Sequence, residues 1–258
     1  MTSIRPNGAG GVPGASLGAV DILTARGLVM AYGDGPGATR ALDGVDVALR
    51  AGESVAVTGP SGSGKTTLLH CLAGVLRPTS GTVELAGADL TAMSDAHRTR
   101  LRRSAVGFVF QSGQLLPELP AQENAALPLM LAGVDRRTAT ARARELLGAL
   151  GLGGLELRRP GQLSGGQVQR VAIARALVGS PQVVFADEPT GALDQATGEE
   201  VLGTLTGAAR RAGAALVVVT HDPAVARWCG RTLAMRDGRV VREFRAPAAP
   251  AAGGGVPS

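Results

Sequence analysis

Residues 58–70, TGPSGSGKTTLLH, hold the chain's only lysine, Lys65; the other 25 of its 26 basic residues are arginine. Gly59, Pro60, Ser61, Gly62, Ser63, Gly64, Lys65 and Thr66 have the spacing of a phosphate-binding loop, with Thr67 following. Glycines at these positions let backbone N–H groups turn inward around an anion, and the start of the helix that follows adds its positive dipole end. An ammonium reaches β- and γ-phosphates as one compact charge, where arginine's planar fork is bulkier and differently shaped. The Thr66 hydroxyl is of the right type to ligate Mg²⁺.

The stretch VVFADEP supplies two acids, Asp187 and Glu188. Asp187 is expected to hold Mg²⁺, and Glu188 to polarise an attacking water. Alone, two adjacent acids fit a solvated turn equally well; paired with the lysine loop they form the other half of a phosphoryl-transfer site. The run LSGGQ, with Ser164, Gly165, Gly166 and Gln167, precedes an apolar helix and makes a second anion-receptive helix start. Alone it reads as an ordinary helix cap. One nucleotide does not need two cradles from one chain, so Ser164, Gly165 and Gly166 are expected to cover the γ-phosphate of a nucleotide held by another copy.

The elements that must position these groups are legible as four short apolar runs, SVAVT (54–58), VGFVF (106–110), VVFA (183–186) and ALVVVT (215–220). Each reads as a buried strand of a parallel sheet and is followed at once by polar or glycine-rich sequence: the Gly59 loop, Gln111, Asp187-Glu188 and His221. Open parallel sheets bind ligands beyond the carboxyl ends of their strands. Residues 113–178 show helical periodicity instead, with Leu146, Leu147 and Leu150 on one face, and are expected to form an inserted helical subdomain. Residues 26–50 and 81–90 read as short antiparallel strands. The Gly-, Ala- and Pro-rich residues 1–25 and 247–258 read as tails.

Composition removes several classes. No run approaches the roughly 18 apolar residues of a membrane helix, and the first twenty residues lack a secretory leader's pattern, so a cytoplasmic location is expected. The net charge is +5, but aromatics are 2% of the chain and its arginines are scattered in pairs, with only RTRLRR (98–103) dense; a nucleic-acid partner is not expected. Cys71 and Cys229 form no CxxC pair and read as two reduced thiols.

In order along the chain stand Tyr32, the loop at 59–66, Gln111, LSGGQ at 163–167, the acidic strand end at 183–188, GALD at 191–194 and His221. In that order the motifs resemble the nucleotide-binding subunits of ABC transporters over about 26–246. The resemblance implies a P-loop α/β fold with a mostly parallel sheet, a small antiparallel β subdomain and the helical insertion. It implies ATP and Mg²⁺ as cofactors, an ATP-driven homodimer and an integral membrane permease at the cytoplasmic face of the membrane. By the same resemblance Tyr32 stacks on adenine, Gln111 contacts Mg²⁺ and the attacking water and senses the permease, Asp194 ends the loop crossing the dimer interface, and His221 senses the γ-phosphate. Val168 departs from the polar residue that relatives usually carry there; His70 and His97 match no motif.

A closer local resemblance, carried by GFVFQSGQLLPELPAQENAALPLMLAG and DEPTGALDQATGEEVL, is to ATPases of the lipoprotein-release and macrolide-export type. The neighbouring alternative is the cell-division ATPase, which acts on a permease-like partner without moving cargo. A chromosome-type ATPase would need a long coiled coil where only 53 residues separate Gln111 from Ser164, and a translation-type protein would carry two cassettes.

Overall fold

The computed structural model describes residues 21–33 and 35–245. The expected tails fall largely outside them, in 1–20 and 246–258. Residues 21–25, expected in the first tail, are instead strand.

Two sheets organise the chain. The first holds β1 (Asp21–Tyr32), β2 (Thr39–Arg50), β4 (Ser80–Leu85) and β5 (Ala88–Asp89), all antiparallel, in the order β2-β1-β4-β5. The second holds β3 (Ser54–Thr58), β6 (Val106–Phe110), β7 (Val183–Asp187), β8 (Ala215–Thr220), β9 (Arg231–Arg236) and β10 (Arg239–Arg245), in the order β10-β9-β3-β8-β7-β6. All neighbours in it run parallel except the edge strand β10.

The four apolar runs are thus four adjacent parallel strands, three inner and one, β6, at the edge, and their register aligns Thr58 with Thr220, Val219 with Asp187, and Asp187 with Phe110. Side chains alternate across a strand, so this sheet feeds two cores. Val55, Val57, Val183, Phe185, Val217 and Val219 pack toward the antiparallel sheet and α1 (Lys65–Leu72). Val109, Val184, Ala186, Leu216 and Val218 pack toward the helices. Burial on both faces explains why β3, β7 and β8 read as continuous apolar runs, while β6 at the edge has one face only half-buried.

The insertion contains α3 (Ala121–Leu131), α4 (Arg136–Ala149) and α5 (Gly165–Leu177), as expected from its periodicity; Leu147 and Leu150 are buried and Leu146 packs at the edge of the core. Alanines at 121, 125, 139, 143 and 174 line the contacts and keep the helices close. Asn124, fully buried, accepts from Leu116 N and donates to Leu116 O and Leu119 O, so it fixes the segment leading into α3. The remaining helices are α2 (Asp95–Ala105), α6 (Gln195–Arg211) and α7 (Pro223–Ala226). The dense arginine run is the body of α2: Arg98 is buried beside Asp95, and Arg102 donates to Gly74 O. Both cysteines are free and buried.

Candidate nucleotide site

The phosphate loop connects β3 to α1 and is gripped from both sheets. Gly64 caps α1 at φ 96°, and a Cβ there would overlap the carbonyl oxygen of Ala41 in β2. A Cβ on Gly59 would overlap the carbonyl oxygen of Met235 in β9. Only glycine satisfies both the backbone angle and the close approach. Lys65, 9% exposed, donates from Nζ to Gly59 O at 2.8 Å and Pro60 O at 2.9 Å, so its ammonium is folded into the loop's concavity. The buried Ser63 hydroxyl has no hydrogen-bond partner among the described residues, an orphan that a phosphate oxygen would satisfy.

Thr66 and Asp187 come together across the β3 and β7 ends. Burial raises the Asp187 carboxyl above its usual range, and the neighbouring Glu188 charge adds to this; a hydrogen bond from the Thr66 hydroxyl opposes it, as do the charges of His70 and Lys65 nearby. A partly desolvated carboxylate beside a hydroxyl, facing a phosphate loop, is the oxygen-donor set that suits Mg²⁺. His70 was missed as a site neighbour. Its spacing from Thr66, four residues along a helix, puts both on one face and could have revealed it.

Glu188 follows Asp187 in a left-handed conformation, φ 46°, uncommon for a residue with a side chain. The turn aims its carboxylate at the end of β8. Oε1 accepts from the His221 backbone N–H at 3.0 Å and lies 2.7 Å from His221 Nδ1, while Oε2 accepts from Thr220 Oγ1 at 3.2 Å. Thr220 was not foreseen as part of the site.

Gln111 follows the last residue of β6 and lies against Gly191: its Nε2 is 2.7 Å from where a Cβ on Gly191 would sit. Gly191 N in turn donates to Glu188 O at 3.1 Å. Among the described hydrogen bonds none joins Gln111 to Asp187 or Thr66. Tyr32 ends β1 and is 46% exposed. It pairs with Thr39, two residues from the Ala41 that touches Gly64, or about 7 Å along the strand.

Ser164 and Gly165 are exposed at the start of α5. Ser164 Oγ accepts from Gln167 N at 3.3 Å and Gln167 Oε1 accepts from Ser164 N at 2.9 Å, a reciprocal cap that presets the helix start. Among the described residues, no hydrogen bond joins this start to the chain's own phosphate loop. It is packed instead on the GALD segment: a Cβ on Gly165 would lie 3.0 Å from Leu193 Cδ2, and one on Gly166 2.6 Å from Thr197 Cγ2. Asp194 caps α6 by accepting from Thr197 N at 3.1 Å, and the Thr197 hydroxyl followed by that N–H holds its carboxyl below the usual range. Val168, the departure beside the cradle, lies against Gly113 in the loop after Gln111. His97 caps α2 with Ser94, a structural role.

The family model described as "ABC transporter" matches residues 42–191. The lipoprotein-releasing system ATP-binding protein LolD of Geobacter metallireducens is 47% identical over 222 residues, 86% of this chain and 99% of that one. LolD 2 of Caulobacter vibrioides is 48% identical over 219 residues, 85% of this chain and 96% of that one. The macrolide export ATP-binding/permease protein MacB of Marinobacter nauticus is 44% identical over 222 residues, 86% of this chain and 34% of that longer protein. Among solved structures, a dimeric post-hydrolysis ATP-binding cassette bound to ADP and Pi superposes with a TM-score of 0.78 at 39% identity, covering 86% of this chain and 98% of that one.

Proposed function

The chain belongs to the ABC transporter family, and on that premise we propose that it is the ATP-hydrolysing subunit of a lipoprotein-releasing type of system. In this reading it sits at the cytoplasmic face of the membrane and drives a separate permease, with an amphiphilic cargo such as a lipid-anchored protein. Relatives bearing the lipoprotein-releasing name match along nearly their whole length. No helix among the described residues is long and apolar enough to cross a membrane.

The observation that carries the hydrolytic reading is convergence at one sheet edge. The lysine loop, the Thr66–Asp187 pair and the Glu188–His221 pair all lie at the carboxyl ends of adjacent parallel strands. Phosphoryl transfer rests on positioning and charge stabilisation. Lys65 would leave its carbonyl partners for the β/γ-phosphate oxygens, and Ser63 would donate into the same cradle. Thr66 and Asp187 would hold Mg²⁺, whose charge when bound offsets the phosphate oxygens. Glu188, anchored at both oxygens, polarises the attacking water, and Gln111 helps place that water. Tyr32 offers its exposed ring to the adenine. Ser164, Gly165 and Gly166 of a second copy would cover the γ-phosphate, with Asp194 near the seam.

Purification from membranes with a mild detergent, followed by identification of the copurified protein and an ATPase assay, tests this reading. An integral membrane partner with a large extracytoplasmic region, whose presence raises ATP turnover, is the expected result. A partner that governs cell-wall hydrolases would overturn the transport assignment, and the absence of ATP turnover with any partner would overturn the hydrolytic one.

A further inference from the structure

We propose that Arg175 is a positioning residue for Gln111: from the far end of α5 it holds the loop that carries Gln111, and so ties the cradle helix to the hydrolytic centre. The inference rests on the reading above that Gln111 acts in hydrolysis.

The loop after β6 turns sharply. Gly113 N donates to Phe110 O at 3.0 Å, and Gly113 and Gln114 are successive left-handed residues, φ 70° and 46°. Such a turn presents its carbonyls outward, without neighbours to satisfy them. Arg175 meets two of them: Nη2 donates to Gly113 O at 2.6 Å and Nη1 to Gln114 O at 2.7 Å. A planar fork with two fixed, parallel donors matches two adjacent carbonyls and fixes their spacing, which a lysine's freely rotating ammonium does not. Gln169, six residues earlier on α5 and 2% exposed, donates from Nε2 to Phe110 O at 2.7 Å. Val168 closes the third side against Gly113. Residues 110, 113 and 114 are therefore all held by α5, and Gln111 between them has its side chain free to lie on Gly191.

Arg175 has no carboxylate partner among the described residues, and burial alone pulls its pKa below the ordinary arginine value. A partly desolvated cation satisfied only by carbonyls is costly to keep where an apolar contact would serve the core. Here its bonds go to backbone flanking the Gln111 turn. At the other end of the same helix stand Ser164 and Gly165. Closure of the cradle on another copy's nucleotide would shift α5, and Arg175 would carry that shift to Gln111 and on to the Gly191–Glu188 turn.

The test is a double-mutant cycle on ATP hydrolysis with Arg175→Gln and Gln111→Ala. Arg175→Gln is expected to lower kcat about tenfold with KM for ATP within about twofold, since it misplaces a group acting after binding. Added to Gln111→Ala, it should cost nothing further; Gln169→Met, which removes the bond to Phe110, should behave in the same way. Effects that multiply would overturn the proposal, because Arg175 would then act independently of Gln111. Wild-type turnover in Gln111→Ala would overturn the underlying role of Gln111 itself, a separate outcome. Arg175→Lys, which keeps the charge but loses the planar fork that fixes both carbonyls, carries the cycle should the glutamine variant not fold. If neither folds, Arg175 is a folding element and the proposal is wrong.

Discussion

Glu188 Oε1 and His221 Nδ1 lie 2.7 Å apart, and the same oxygen accepts from the His221 backbone at 3.0 Å. The carboxylate is held by a residue from the neighbouring strand end, so its aim at a water depends on β8 as much as on β7. Thr220→Val tests the third bond, from Thr220 Oγ1 to Glu188 Oε2. The change preserves shape but also leaves Asp222 N without its acceptor. Turnover is expected to fall several-fold with ATP affinity unchanged, and chemical denaturation to report a loss of about 1–2 kcal/mol. Wild-type kcat would show that Glu188 needs no support from Thr220.

Asp187 gives a pH signature. Burial holds its carboxyl above the ordinary value in the folded chain. Below the unfolded-state pKa both states are protonated and nothing is lost. As pH rises through the raised folded value, the buried charge forms and its stability cost is complete above that point. In chelator, Asp187→Asn should therefore melt higher than wild type at neutral pH, with the gain vanishing near pH 4, while ATP turnover is lost. A variant that melts lower at neutral pH would contradict the desolvation argument.

Lys65→Arg separates charge from shape. The ammonium fits between the Gly59 and Pro60 carbonyls at 2.8 and 2.9 Å, in a loop already pressed on Ala41 and Met235. A guanidinium restores the charge but cannot fold into that space. Both Lys65→Arg and Lys65→Ala should lose hydrolysis by at least about a hundredfold with an unchanged circular dichroism spectrum. Near-normal turnover in the arginine variant would reduce the lysine to a bare charge.

Glu188→Gln keeps size and removes the base, so hydrolysis should stall with ATP bound. If Ser164 and its glycines cap that ATP from another chain, the stalled species is a dimer. Light scattering should give about twice the monomer mass with ATP and the monomer mass with ADP. Ser164→Arg added to the same chain should abolish the shift, because the exposed cap is where the copies would meet. A dimer that tolerates Ser164→Arg would sink the trans arrangement.

Much of this was legible because buried parallel strands leave a loud signal. Runs at 54–58, 106–110 and 215–220 match β3, β6 and β8 to the residue. Other elements were quieter for identifiable reasons. The first strands were expected to be short, yet β1 and β2 run for 12 residues each, because left-handed Gly27 and Gly44 fall within them near shifts of register that break the alternation. β9 opens with Arg231, buried and paired with Glu53 and Glu243, so its first inward residue looked like a surface one. β10 is a mostly exposed edge strand. At the site, ordered motifs gave the groups that meet phosphate. The groups that steady them, Thr220, His70, Gln169 and Arg175, act through contacts 32 to 62 residues apart or across a helix face, which no local pattern encodes.

The two thiols suit this protein to spectroscopy. Burial pushes Cys71 up to about 11 and Cys229 up to about 12, so at neutral pH neither presents a thiolate to a maleimide or a nitroxide reagent. The native chain is then already a silent background for site-directed labelling. A cysteine introduced at exposed Ala141 on α4, away from the phosphate loop and the cradle, would be the one reactive position, and distances between such labels on two copies would follow opening and closing without first rebuilding the core around Cys71 and Cys229.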